Sequence, residues 1–147
     1  MTQIVVDASV VIKWIVQEPG ATEARALRTR QCFAPDLMVA EYTNILWKKV
    51  TRGEMRPELA QVAAWALPMF DIEFCRMENM VGKALDLAVA RAHPAYDCLY
   101  LALAEEKGCY FVTADIRLSR KLLAYNPQAR IVPLDQANAT LPPLRPN

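Results

Sequence analysis

The sequence is short of the residues on which several kinds of chemistry depend. It holds one histidine, His93, in 147 residues, so a ribonuclease that passes a proton between two histidines is excluded. Its four cysteines, Cys32, Cys75, Cys98 and Cys109, make no C-x-x-C pair. With a single histidine beside them, a structural zinc site is not expected. They read as reduced, mostly buried thiols of a cytosolic protein. No G-x-x-x-x-G-K-[ST], G-x-G-x-x-G or G-x-S-x-G occurs, which removes phosphate-cradling loops and the nucleophile elbow. No apolar run approaches the roughly 20 residues that a membrane span needs. Ile4 to Ile12, for instance, is broken by Asp7 and Ser9. The first residues lack the charged segment, apolar stretch and cleavage site of a secretory signal, so a cytoplasmic protein without membrane segments is expected. The net charge of +1 lacks the basic excess that marks many nucleic-acid binders, although a local patch would suffice for one.

What is present suits a single globular domain over residues 1–147. A 54% hydrophobic share is enough to build a core without staples. Neither a repeat nor a flexible linker interrupts it. Three prolines in Leu141 to Asn147 predict an extended tail. The β-branched run Gln3 to Val6 predicts a buried strand, followed by a helix from Ala8 to about Val16 and another from Ala21 to about Arg30. Cys32 to Ala34 reads as a second strand. Pro35 is expected to start a helix that runs to about Thr51 and ends near Gly53. Helices are predicted over Pro57 to Leu67, Glu78 to Ala92, Ala95 to Lys107 and Ile116 to Tyr125. Strands are predicted over Asp71 to Cys75, Cys109 to Thr113 and Arg130 to Pro133. Strands alternating with helices mean an α/β fold with a mostly parallel sheet.

Most of the 16 acidic residues sit among polar neighbours on solvated helix faces. Four do not. Asp7 ends the run Ile4-Val5-Val6, and Asp115 follows Tyr110-Phe111-Val112 by two residues. Both belong at carboxyl ends of predicted parallel strands, the edge where open α/β sheets bind ligands. Asp97 interrupts an apolar helix in its first turn, and Glu41 interrupts Val39-Ala40-Glu41-Tyr42. Helix capping is the plain alternative for Asp97 and Asp115, a turn residue for Asp7, and a partly exposed helix position for Glu41. Taken together, four carboxylates at one sheet edge would repel one another unless a cation joined them. Oxygen-only donors suit Mg2+ or Mn2+. Such an ion lowers the pKa of its water and offsets charge on a phosphoryl group, which supports phosphodiester cleavage.

These residues also carry a resemblance. Ile4-Val5-Val6-Asp7-Ala8-Ser9 is similar to the strand-Asp-x-Ser/Thr start of PIN domains of the VapC type. Ala34-Pro35-Asp36-Leu37 through Glu41 and Asn44 to Leu46 resembles their P-x-L-x-x-E-x-x-N-x-L helix. Tyr96-Asp97-Cys98-Leu99-Tyr100-Leu101-Ala102-Leu103-Ala104 resembles their Y-D-A-x-Y-x-A-L-A helix, and Thr113-Ala114-Asp115-Ile116-Arg117-Leu118 their T-x-D-x-x-L ending. The resemblance implies a three-layer sandwich, with a central parallel sheet of four to five strands flanked by helices. It implies an endoribonuclease toxin that cuts structured RNA, such as tRNA or ribosomal loops. It implies inhibition by a small VapB-like antitoxin, and a homodimer. By position, Asp7, Glu41, Asp97 and Asp115 correspond to the Mg2+ or Mn2+ site, Ser9 and Thr113 to its hydroxyl support, and Asn44 to the same pocket. Some relatives carry a further acid just after Asp115, where this chain has Ile116 and Arg117, so a second ion is in question.

Candidate phosphate contacts are Lys13, Lys48, Lys49, Arg52, Arg117, Arg120 and Lys121. Trp14, Trp47 and Tyr42 are candidates for base stacking or for packing. Trp65 and Met69 are candidates to receive an antitoxin segment. The competing readings are a catalytically weak PIN-like module that binds RNA or protein, and a domain working through an aspartyl phosphate. The latter usually shows D-x-D after its first strand, and Ser9 takes the third position here.

Overall fold

The computed structural model describes residues 2–144. Five strands form one sheet: β1 (Gln3–Val6), β2 (Gln31–Pro35), β3 (Ile72–Cys75), β4 (Tyr110–Thr113) and β5 (Ile131–Pro133). Their spatial order is β3-β2-β1-β4-β5 and every pairing is parallel. β1 lies at the centre, with Ile4, Val5 and Val6 wholly buried. Burial on both faces is what the unbroken β-branched run predicts.

Helices fill the crossovers. α1 (Ala8–Val11) and α2 (Ala21–Ala26) join β1 to β2, and each tightens into a 3-10 turn, Ile12–Trp14 and Leu27–Thr29. The predicted ends at Val16 and Arg30 are therefore two and one residues too long. α3 (Leu37–Thr51) and α4 (Pro57–Ala66) join β2 to β3, and α5 (Val81–Arg91) and α6 (Ala95–Lys107) join β3 to β4. α7 (Ile116–Tyr125) precedes β5, and α8 (Ala137–Thr140) follows it. The bounds expected for α6 and α7 match.

Two expectations need correction. Pro35 is the last residue of β2, paired with Cys75, and does not start α3. The β1–β2 register ends at Phe33, so Pro35 lies where the chain is leaving the central strand and a missing N–H is tolerated. The segment from Glu78 is not one helix: Met77–Met80 form a 3-10 turn and α5 begins at Val81. α8 was not anticipated. Of the predicted tail, Leu141 follows α8 in an extended conformation, and residues 145–147 lie outside the described residues.

The sheet order decides where chemistry can sit. From β1 the chain moves outward through β2 to β3, then returns to place β4 on the other side of β1. The crevice at the carboxyl ends of β1 and β4 is the switch point of such a sheet. α6 packs across β1, β2 and β4, with Cys98 and Tyr100 to Ala104 buried.

Candidate active site

Asp7 is the first residue past β1. Its extended backbone lets the side chain turn back and cap α1, with Oδ1 accepting from Val10 N at 3.2 Å. Two hydroxyls complete its surroundings. Ser9 Oγ donates to Oδ1 at 2.5 Å, and Thr113 Oγ1, at the end of β4, donates to Oδ2 at 2.5 Å. The direction of these bonds is enforced. Ala114 N donates into Ser9 Oγ at 3.0 Å, and Asp115 N into Thr113 Oγ1 at 3.1 Å, so each hydroxyl hydrogen is left for Asp7. Burial nonetheless dominates. It pushes the Asp7 carboxyl up to about 6, the hydroxyl and Val10 bonds oppose it, and the charge of Glu41 raises it further.

Glu41 projects from α3, half-buried. Tyr100 of α6 donates its hydroxyl to Glu41 Oε1 at 2.5 Å, and its ring stacks on Phe111 of β4, 5.1 Å between centroids and 15° between planes. Burial raises the Glu41 carboxyl, the Tyr100 bond opposes this, and the charge of Asp97 adds to it. The Tyr100 phenol is itself pushed well up, first by burial and then by Glu41, Asp7 and Asp97. Three acids from three elements therefore act on one buried hydroxyl.

Asp97 stands in the first turn of α6, but Pro94 occupies the N-cap and Asp97 is not the cap. Its Oδ2 lies 2.6 Å from His93 Nε2. Asp115 is exposed and does cap α7, with Oδ1 accepting from Leu118 N at 3.0 Å. It joins the others through its own N–H on Thr113. Glu41 Oε2, Asp97 Oδ1 and Asp115 Oδ2 have no hydrogen-bond partner among the described residues.

Not every expected residue is drawn in. Asn44 is exposed, and its side chain makes no hydrogen bond to these acids among the described residues. Lys13 and Lys49 clamp Glu18, at 2.9 and 2.7 Å. Lys48, Arg52 and Arg117 are exposed and form no ion pair among the described residues. Lys48 and Arg52 follow Glu41 by seven and eleven residues, which keeps them on its helix face. Lys121 donates to Ala92 O at 3.2 Å. Trp14 and Tyr42 are core residues bonded to Ala24 O and Ala63 O, whereas Trp47 is exposed. All four cysteines are free thiols, three of them buried.

Sequence reasoning passed over Tyr100 and His93. Tyr100 had a signal, its three-residue spacing from Asp97 on one helix face. His93 precedes Asp97 by four, but the intervening Pro94 hides the proximity.

A sequence model of the PIN domain matches residues 4–121. The chain belongs to the PIN-domain family. It is 31% identical over 126 residues to Ribonuclease VapC3 of Pyrobaculum aerophilum, covering 83% of this chain and 96% of that one. The crystal structure of PAE2754 from Pyrobaculum aerophilum superposes with a TM-score of 0.65 at 24% identity, covering 94% of this chain and 88% of that one. VapC20 of Mycobacterium tuberculosis, a toxin that cleaves the sarcin-ricin loop, superposes with a TM-score of 0.58 at 14% identity, covering 97% of this chain and 99% of that one. These two likenesses concern the fold.

The donor set of this PIN domain fits a hard divalent cation by its chemistry. It is all oxygen, it concentrates negative charge, and among the described residues no lysine or arginine pairs with Asp7, Glu41, Asp97 or Asp115. The same residues do not close into a finished cage: no three His, Cys, Asp or Glu side chains among the described residues stand close enough to enclose an ion. No described helix is long and apolar enough to cross a membrane.

Proposed function

We propose that this PIN-domain protein is a metal-dependent endoribonuclease, the toxin of a two-component toxin–antitoxin pair acting in the cytoplasm on structured RNA such as tRNA or rRNA. The observation that carries the reading is the buried Asp7 carboxylate at the switch point, held by three donors and pushed up to about 6 by burial and by Glu41. A carboxylate held there at neutral pH wants a cation. Asp7, Glu41, Asp97 and Asp115 would hold Mg2+ or Mn2+. Bound there, the ion supplies Lewis acidity that offsets charge on a phosphoryl group and makes a water acidic.

The remaining chemistry belongs to the chain. Ser9 and Thr113 keep Asp7 in one orientation, and Tyr100 does the same for Glu41, so little reorganisation is left for the reaction. Lys48, Arg52 and Arg117 would meet the RNA backbone as free cations. The likeness to Ribonuclease VapC3 supports the activity. A VapB-like antitoxin is supported by an apolar groove of about 720 Å³ lined by Ile15, Val16, Met55, Leu59 and Val62, with Trp65 and Met69 exposed nearby in sequence. A homodimer is supported by Val81, Leu85 and Val89, an exposed stripe at four-residue spacing on α5.

The test is cleavage of a folded RNA by purified protein with Mg2+ or Mn2+, with EDTA, and with Asp7→Asn or Asp97→Asn. Cleavage that needs the ion and disappears in both variants is expected. Equal cleavage by the variants would sink the assignment. The open arrangement of the acids favours one competitor, a catalytically weak module that binds RNA without cutting it, and binding without cleavage in this assay would establish it.

A further inference from the structure

His93 lies outside every role assigned so far, yet the chain is built around it. Ala92, the residue after α5, has φ 48 and ψ 47. No other non-glycine among the described residues has positive φ. His93 N bonds to Ala88 O at 3.1 Å and Ala92 N to Val89 O at 3.4 Å. This is the double bond pattern of a Schellman ending, with alanine where glycine is usual. Lys121 Nζ holds Ala92 O from α7, and Pro94 restricts the next step of the backbone. Strain of this kind persists only where the surroundings over-determine it. Its result is that the His93 side chain, 10% exposed, sets Nε2 against Asp97 Oδ2 at 2.6 Å. Nδ1 is buried with no partner among the described residues. An unpaired N–H donor would be worse there than an unpaired acceptor with a lone pair, so the proton belongs on Nε2.

We infer that His93 is the positioning residue for Asp97: its Nε2–H holds Oδ2 and leaves Oδ1, which has no hydrogen-bond partner among the described residues, as the oxygen that would ligate a cation. The inference rests on the nuclease reading of the acidic pocket. Residues that support a ligating carboxylate in this way commonly set affinity and activity by 10–100-fold. The geometry makes a sharp distinction between two amides. A glutamine at 93 places its side-chain nitrogen as many bonds from Cβ as Nε2, whereas an asparagine places its nitrogen at the position of Nδ1, where there is no partner.

The experiment is Mn2+ titration by calorimetry of the wild type and of His93→Gln, His93→Asn, His93→Ala and Asp97→Asn, with metal-free melting of each. His93→Asn and His93→Ala should weaken Mn2+ binding by about 10–100-fold, and His93→Gln by no more than about threefold. Asparagine keeps the polarity of the site, so its failure cannot be blamed on a bare cavity when its metal-free melting matches that of the glutamine variant. Binding by His93→Asn as tight as the wild type, or by His93→Gln as weak as His93→Ala, would overturn the role. Loss of the nuclease reading looks different: the wild type then binds no Mn2+, or Asp97→Asn binds it equally well, and the inference falls with it.

Discussion

Asp7→Asn should stabilise the metal-free protein while removing its activity. Asp7 has an ordinary pKa of 3.8 when exposed and about 6 in the fold. That difference corresponds to roughly 3 kcal/mol at neutral pH. The sign follows from proton uptake. Between the two values the folded state binds more protons than the unfolded one, so the contribution of Asp7 is fully present below pH 3.8 and lost as pH rises through about 6. Asparagine has no charge to bury, and the network can accept it. Its Oδ1 still receives Ser9 and Val10, and its amide donates to Thr113 Oγ1. The Thr113 hydrogen then turns to Ser9 Oγ, 3.4 Å away. Melting and urea unfolding in EDTA should favour the variant by about 3 kcal/mol at pH 7.5, on the order of 8 °C. The gap should shrink to about 1.5 kcal/mol at pH 5 and about 0.5 kcal/mol at pH 4. Mn2+ should then raise the melting temperature of the wild type alone. A variant less stable than the wild type at pH 7.5, or a gap that stays constant with pH, would refute the reasoning.

Four further outcomes are expected. Tyr100→Phe keeps the stack on Phe111 and removes the hydrogen bond to Glu41, of a kind worth about 1.5–3 kcal/mol. RNA cleavage should fall about tenfold or more and melting by about 4–8 °C, and unchanged cleavage would dismiss the bond as incidental. Glu18 is raised by burial, but hydrogen bonds and charges from Lys49 and Lys13 outweigh this and hold it below its ordinary 4.5. Its stabilisation is therefore present above that value and lost as pH falls below it, so Glu18→Gln should lose about 1 kcal/mol at pH 7 and match the wild type in strong acid. Combined replacement of Lys48, Arg52 and Arg117 by alanine should flatten the log–log salt dependence of RNA binding by about 2, whereas Lys13→Ala, which breaks a Glu18 ion pair, should leave that slope alone. The wild type should be a dimer by light scattering and Leu85→Glu on the α5 stripe a monomer; a monomeric wild type, or a variant of unchanged mass, would refute the proposed contact.

Local signals were enough for much of this protein. The buried run Ile4-Val5-Val6, the apolar α6 and the alternation of strand with helix announce a parallel α/β sheet, because burial on both faces leaves its own pattern in the chain. The four acids proposed for the site stand out in the chain for the same reason, each breaking such a pattern. Element ends were less so. Pro35 reads as a helix start by propensity, yet it pairs with Cys75, since strand pairing is a contact between segments far apart in the chain.

By itself, the order of residues determined which groups carry charge and which segments must be buried. Only the tertiary structure decided how they meet. The return of the chain from β3 to the far side of β1 brings Thr113 onto Asp7, across 106 residues. The same packing brings Tyr100 onto Glu41, turns His93 onto Asp97, and ties Lys13 and Lys49 to Glu18. Hydrogen bonds and ion pairs depend on distances of a few ångströms, and those distances are set by how helices pack on the sheet.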